Sequence, residues 1–563
     1  MQIPRPEYPR PQFVRDAWCN LNGTWQFEID QGKSGAVRGL CREGAELSGS
    51  ITVPFCPESS LSGVGYKDFM YGVWYKRKVN IPAQSGRTVL HFGAVDYFCR
   101  VYVNGEVAGE HKGGYVSFSF DITELIREGE NEIAVFARDD TRSGKIPSGK
   151  QSYKYASFGC FYTRTTGIWQ TVWLEFTPKS YIRSVKYYPN ISDCSVTMEV
   201  SLAGKGDFMA EVTYAGQPMG SCQVSGAAGE YHVTVPLAEK HLWEVGQGRL
   251  YDVILSFGED RVKSYFGLRQ VRMDGQKFLL NEKPVFQRLV LDQGFYPDGI
   301  YTAPTDAALK RDIELSMAMG FNGARLHEKV FEERFLYHAD TIGYLVWGEY
   351  PDWGMDNTKT ENVYWILPEW MEEVKRDFNH PAIIGWCLRN ETNPSQYDPG
   401  IEMTYSVTKA LDPTRPCIDT SGYNHVKTDI YCLHHYQQDP ETFAGYFKNM
   451  TDQGGFEDPY NKKGEYQAGQ PMFVSEYGGI RWTEDTSGWG YGNAPKTEEE
   501  FLARLEGLTD VLLNNKHMMG LCYTQLTDVE QEQNGLYTYD RKPKFDPDVI
   551  RRFFMKKAAI EEK

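Results

Sequence analysis

Phe378-Asn379-His380-Pro381-Ala382-Ile383-Ile384-Gly385-Trp386-Cys387-Leu388-Arg389-Asn390-Glu391 is the stretch from which the fold is read. Its β-rich apolar run, Ala382 to Leu388, ends abruptly in Asn390-Glu391. That is the pattern of a buried parallel strand delivering polar side chains to the rim of a barrel. A second run, Pro471 to Gly479, does the same with Glu476. Two short staves, each ending in one carboxylate, put a pair of glutamates across one pocket, an arrangement suited to a sugar.

Outward from these staves, helical periods alternate with short strands from Asp274-Gly275 onward. Asp306 to Gly320 reads as a helix with apolar Leu309, Ile313, Leu315, Met317 and Met319. Phe321 to Arg325 follows as a strand, then a helix around Val330 to Ala339, a strand at Tyr344 to Trp347 and a helix at Trp370 to Phe378. Over residues 274–563 this repetition fits a (β/α)8 TIM barrel in order and size, with chemistry at the C-terminal strand ends. The sequence holds no Gly-rich phosphate loop, zinc-ligand cluster or nucleophile elbow, so neither cofactor nor metal is expected.

Upstream, the pattern is β throughout. Residues 1–179 carry short alternating strands: Leu21 to Ile29 with Trp25, Phe27 and Ile29 on one face, Tyr115 to Phe120, Glu132 to Ala137 and Gln170 to Phe176. Cys99 to Val103 and Glu106 to Ala108 form a hairpin about Asn104-Gly105, the strongest short turn signal. Such spacing means a β-sandwich of jelly-roll type. Residues 180–273, with Ser195 to Leu202, Tyr231 to Val235 and Tyr251 to Leu255 alternating, suit an immunoglobulin-like sandwich acting as a spacer. A chain of 563 residues is too long for one core, so a multidomain protein of jelly roll, immunoglobulin-like β-sandwich and barrel is expected.

Composition excludes several classes. A net charge of -16 without an offsetting basic stripe argues against nucleic acid. No apolar run approaches a membrane span, and the start, Met1 to Pro6, lacks a secretory pattern, so a cytoplasmic location is expected. Eleven cysteines without paired spacing read as free thiols. Aromatic residues at 14% suit stacking on sugar faces, and equally suit β cores.

At this point the chain resembles the glycoside hydrolase family 2 enzymes, which include β-galactosidases, β-glucuronidases and β-mannosidases. Thr163 to Gln170 with Val172-Trp173-Leu174 is similar to the signature closing that family's sugar-binding-like jelly roll. Tyr265 to Arg269 and Phe278 to Pro284 resemble its passage from sandwich to barrel. Asn379-His380-Pro381 with Asn390-Glu391, and Ser475-Glu476-Tyr477-Gly478, resemble its two catalytic signatures, and Asp540 to Lys544 its approach to the last helix. The resemblance implies retaining hydrolysis: Glu476 as nucleophile, Glu391 as acid/base with a raised pKa, carboxyls roughly 5–5.5 Å apart, and Asn390 on the sugar 2-hydroxyl.

Further binding candidates sit at strand ends. They are Asp292 after the first strand, Arg325 and His327 after the second, Glu349 beside Trp347 after the third, and His435 or Tyr436 near Glu476. Arg325 is read chiefly as orienting Glu476. Tyr477 is read as a contact or as packing, and Trp353 and Trp482 as sugar platforms or loop packing. Asp528 is retained where many family members pair it with a Trp four residues earlier. Here that position is Thr524, a departure that Trp482 is a candidate to offset. A second departure is Val529 to Gly535, which lacks the Asn-x-Lys clamp of β-glucuronidases; Asn461-Lys462-Lys463-Gly464 precedes the nucleophile and reads as a solvated run. A third is Tyr350 to Met355, which lacks the His of a magnesium site.

The expected partner is therefore a carbohydrate, with β-galactoside leading and β-glucuronide, β-mannoside and α-L-arabinoside behind. The chain also lacks the extra C-terminal domains of large β-galactosidases, so the rim is expected from its own loops or a second copy in a homo-oligomer. The competing class is a non-catalytic carbohydrate-binding protein, against which both glutamates are present.

Overall fold

The computed structural model describes residues 3–461, 463–483 and 487–562. Two antiparallel sheets make the first module. One runs Trp18–Asn20, Val172–Thr177, Arg87–Phe92, Phe118–Asp121; the other runs Gly49–Val53, Gly23–Ile29, Val73–Ile81, Gly129–Arg138, Phe98–Val103, Glu106–Lys112. The alternation that marks these strands delivers Trp25, Phe27, Tyr75, Val101 and Val135 into one shared core. The strand expected over Tyr115 to Phe120 begins only at Phe118. Tyr115 and Val116 leave the sheet and are buried, and the Tyr115 backbone N–H donates to Glu369 of the barrel at 2.7 Å.

The second module holds Tyr181–Asn190, Ser195–Tyr214, Gln217–Pro236, Tyr251–Phe257 and Asp260–Phe266. The long strand Ser195–Tyr214 pairs with Tyr181–Asn190 through its first half and with Tyr251–Phe257 through its second. It changes partner at an irregularity between Leu202 and Phe208. One chain thereby serves both layers of an immunoglobulin-like sandwich around Val196, Met198, Phe208, Val253 and Phe266.

The third module is a barrel of eight parallel strands: β1 (Gln287–Asp292), β2 (Gly323–Leu326), β3 (Leu345–Glu349), β4 (Ile383–Cys387), β5 (Cys417–Ile418), β6 (Tyr431–His435), β7 (Met472–Gly478) and β8 (Met518–Thr524). Their spatial order is β5-β4-β3-β2-β1-β8-β7-β6, with the seam at the very short β5. Every residue of β3, β4, β6, β7 and β8 is buried, which is why each opens on an apolar run. The helices are α1 (Asp306–Ala318), α2 (Glu333–Ile342), α3 (Asn362–Asp377), α4 (Asp398–Leu411), α5 (Pro440–Phe447), α6 (Glu498–Leu513) and α7 (Pro547–Phe554). Thr305 and Thr497 cap α1 and α6 by accepting from Ala308 and Glu500 N–H groups. No described helix lies between β5 and β6. The helix expected at Trp370 starts at Asn362, because Pro368, a usual breaker, is carried inside it.

Asn379-His380-Pro381 fastens the modules together at the N-terminal end of β4. Asn379 donates to the Val185 carbonyl at 2.8 Å and accepts from Tyr187 N–H at 2.9 Å. His380 lies 2.6 Å from Asp340, which also accepts from the Tyr265 hydroxyl and from Ala382 N–H. At the other end of the barrel, a loop over 139–166 leaves the jelly roll and is stitched onto the residues after β3 and after β8. Ser148 N–H donates to Trp353 O, Gly149 N–H to Pro351 O and Trp353 O, and Tyr162 Oη to Glu532. Gly149 has φ +52, and a Cβ there would lie 2.3 Å from the Glu328 carbonyl, so this approach demands glycine. No described helix is long and apolar enough to cross a membrane.

Candidate active site

Glu476, two residues before the end of β7, and Glu391, four residues past the end of β4, meet over the barrel mouth. One ligand atom each from Glu391, His434 and Glu476 lie within 4.8 Å of one another. Glu391 has φ +50, a left-handed turn that swings its carboxyl out of the strand direction, and its N–H donates to Ser421 O at 2.9 Å. The Glu476 side chain is 6% exposed, whereas that of Glu391 keeps 19%. The more open carboxyl therefore faces the side from which water arrives.

Arg325 is the hub beneath them. It donates to Glu476 Oε1 at 3.1 Å, to Ser475 O at 2.7 Å, to Glu349 Oε2 at 2.8 Å and to Asn390 Oδ1 at 3.3 Å. Such charge-assisted bonds fix the carboxylate in place. Glu349 is consumed by this scaffold, its other oxygen 2.7 Å from His327 Nδ1. Burial, then Lys150, pushes the His327 imidazole well below its ordinary pKa, so it stands neutral. Tyr436 Oη donates to Glu476 Oε2 at 2.5 Å and sits 3.1 Å from Thr524 Oγ1.

His434, not His435, is the histidine of the pair that faces the site. Its Nδ1 is 2.6 Å from Glu391 Oε1 and 3.4 Å from Glu476 Oε2. Ser475 Oγ donates to Leu433 O and Ser421 Oγ donates to Ser475 Oγ, so Ser421 Oγ must accept from His434 Nε2–H at 2.8 Å. This network assigns the tautomer and leaves Nδ1 to share a proton with Glu391. Burial works against ionising Glu391, but the His434 bond and charge outweigh it and hold that carboxyl below its usual range. Glu476 is likewise held low, burial being outweighed by His434 and Arg325. The raised Glu391 pKa expected from the sequence is thus corrected: the proton resides on the His434–Glu391 bond. The three ligand atoms also converge closely enough for a cation, but a metal between Nδ1 and Oε1 would need both about 2 Å away on separate bonds, and their 2.6 Å contact is a hydrogen bond.

The other expected residues fall elsewhere. His435 turns into a ring cluster, 4.3 Å from Tyr446 and 5.1 Å from Phe443. Asp292 accepts from Gly294 N–H at 2.9 Å, and burial with Asp312 nearby pushes it up to about 6. Asp528 is salt-bridged to Lys544 at 2.6 Å. Trp482 packs on Phe501 and Phe545, 5.6 and 5.5 Å away, and is no platform. Tyr477 Oη is 2.8 Å from Thr509 under α6. Of the run 461–464, Lys462 lies outside the described residues, and Lys463 pairs with Asp398 at 2.9 Å.

Two rings stand at the mouth, Tyr491, which the sequence does not single out, and Trp353, which it offers as a platform or as loop packing. Tyr491 stacks on Tyr436 at 3.4 Å. Trp353 donates its indole N–H to Asn390 O at 3.1 Å.

A TIM barrel behind a jelly roll and an immunoglobulin-like sandwich, with glutamates converging at its C-terminal mouth, defines a glycoside hydrolase. Residues 19–174 match the sugar binding domain of glycosyl hydrolases family 2, residues 271–485 its TIM barrel domain, and residues 180–269 a further model of the same family. The chain belongs to glycosyl hydrolases family 2. It is 25% identical over 628 residues to a β-glucuronidase of Chlorocebus aethiops, covering 98% of this chain and 93% of that protein. It is 29% identical over 384 residues to a β-galactosidase of Thermoanaerobacter pseudethanolicus, spanning 64% of this chain and half (50%) of that one. The β-glucuronidase of Ruminococcus gnavus has the same fold, with TM-score 0.81 at 20% identity over 98% of this chain and 100% of that one.

Proposed function

We propose that the chain is an exo-acting retaining β-glycosidase that removes a terminal β-glucuronosyl unit by double displacement. The observation carrying the mechanism is that a carboxylate oxygen of Glu391 lies within 4.8 Å of one of Glu476, a spacing that favours the retaining pair over the wider inverting one. Glu476, ionised and aimed by Arg325 and Tyr436, attacks the anomeric carbon. Glu391 passes the proton it shares with His434 to the leaving oxygen, and a glycosyl ester forms on Glu476. Glu391 then takes a proton from water, which attacks the same carbon and frees Glu476. Asn390, its Oδ1 held by Arg325, keeps an amide N–H₂ for the sugar 2-hydroxyl, a bond that tightens toward the transition state.

The glucuronide is supported by relatives matched over nearly their whole length, which carry that name. This replaces the β-galactoside that leads from sequence alone. A β-galactoside remains the second reading on one observation, the lysine-free loop Val529 to Gly535 after β8. Rates on nitrophenyl β-glucuronide, β-galactoside, β-mannoside and α-L-arabinoside decide between them. The glucuronide should give the highest kcat/KM, and a galactoside rate above it overturns the choice of sugar. Inverted configuration in the first product overturns the mechanism.

A further inference from the structure

Lys150, on the jelly-roll loop that covers the barrel mouth, is 5% exposed, yet its ammonium has no hydrogen-bond or ion-pair partner among the described residues. It lies 3.3 Å from the centre of the Trp353 ring, whose indole is tied to Asn390 beside Glu391. The backbone around it is rigidly held: Ser148 and Gly149 bond to the segment after β3, and Tyr162 N–H donates to Lys150 O at 2.7 Å. A ring face attracts the cation but leaves its N–H donors without an acceptor. An ammonium so held over the reacting carboxylates is a binding group awaiting an anion.

We propose that Lys150 reads the substrate, its ammonium pairing with the carboxylate of the terminal uronosyl unit; the inference rests on the uronide reading above. Charge balance supports it. Arg325 already answers to both Glu349 and Glu476, so a uronate entering beside Glu476 meets net negative charge unless another cation receives it. The loop after β8 brings Glu530 and Glu532, not a base, toward the jelly roll. Burial opposes the charge on Lys150, but Cys160, Glu328, Glu391 and Glu476 outweigh it and raise its pKa, so the group stays cationic. A neutral sugar, with a hydroxymethyl in place of the carboxylate, leaves that cation unpaired, and sites of this kind reject the analogue lacking the group.

The test compares kcat/KM on nitrophenyl β-glucuronide with that on nitrophenyl β-galactoside for the full chain, for Lys150→Met and for Lys150→Arg. The expected result is a glucuronide-to-galactoside ratio lowered about 10–100-fold in Lys150→Met, the worth of a charged hydrogen bond, and largely restored in Lys150→Arg. If the wild type prefers the glucuronide and Lys150→Met keeps that preference, Lys150 is not the reader, while the uronide reading stands. If the wild type prefers the galactoside, the uronide reading fails and the role of Lys150 falls with it. If both rates fall in proportion, Lys150 acts on the carboxylates and not on the substrate. Should Lys150→Met not fold, Lys150→Gln carries the same comparison.

Discussion

Glu476 is held by donors that do not need its charge to stay folded. Glu476→Gln keeps the side-chain volume and an acceptor for Tyr436, and Arg325 retains Glu349 and Ser475 O. Turnover should fall at least about 1000-fold while the thermal melt barely moves; a variant keeping half its activity is not missing its nucleophile. His434 gives a different readout. It is the first agent opposing burial at both carboxyls, so His434→Asn lets both pKa values rise. The acid limb of kcat/KM, which needs ionised Glu476, and the alkaline limb, which needs the Glu391 proton, should both move up in pH. An unmoved profile would deny His434 its share of the proton. The glutamates were legible because two apolar strands, each closing in a carboxylate, mark a shared site where one alone would not. His434 was passed over in the His434-His435 doublet, although strand alternation puts it, two residues before Tyr436, on the same face as that ring.

Strands β3 and β4 carry a reciprocal fit. Trp347 lies opposite Gly385 and Gly348 opposite Trp386, so each indole covers the glycine of the neighbouring strand. A Cβ on Gly385 would lie 2.4 Å from the Trp347 ring, and one on Gly348 2.7 Å from Trp386. Both rings are wholly buried and cannot withdraw. Gly385→Ala should therefore destabilise by about 1–3 kcal/mol and, five residues before Asn390, also lower turnover. Differential scanning calorimetry with kcat checks both, and a wild-type melt would mean the ring has room. The residues of this fit stood in the sequence as Trp347-Gly348 and Gly385-Trp386, but the spacing between strands that brings them together did not. Long periodic strands and helices declared themselves. The loop over 139–166, with no period, hid its contact with the barrel, and so hid Lys150.

Across the whole molecule, that loop is seated on acids. Glu58 and Asp96 are buried in the jelly roll and Glu369 on α3, and Asp139 opens the loop. One oxygen each of Glu58, Asp96 and Asp139 is enclosed without a hydrogen-bond partner, which a carboxylate tolerates only by holding a proton. Burial first, then neighbouring acids for the two aspartates, pushes Glu58 and Glu369 up to about 7, Asp139 to about 8 and Asp96 well above its ordinary value. The folded chain then holds protons that the unfolded chain releases near pH 4. Stability from these groups is complete below that point and is lost as pH rises through about 7–8. Asp306 has the opposite sign: His338 and Arg334 outweigh burial and hold it low, so its contribution disappears only in strong acid. The thermal midpoint should accordingly be higher at about pH 5.5 than at about pH 8.5, with amides of the 139–166 loop losing hydrogen-exchange protection first. Glu58→Gln with Asp139→Asn removes the two titrations and should flatten that slope. If the midpoint and the loop's protection stay constant across this range, the acids are ionised in the folded state and the seat is held by backbone bonds alone.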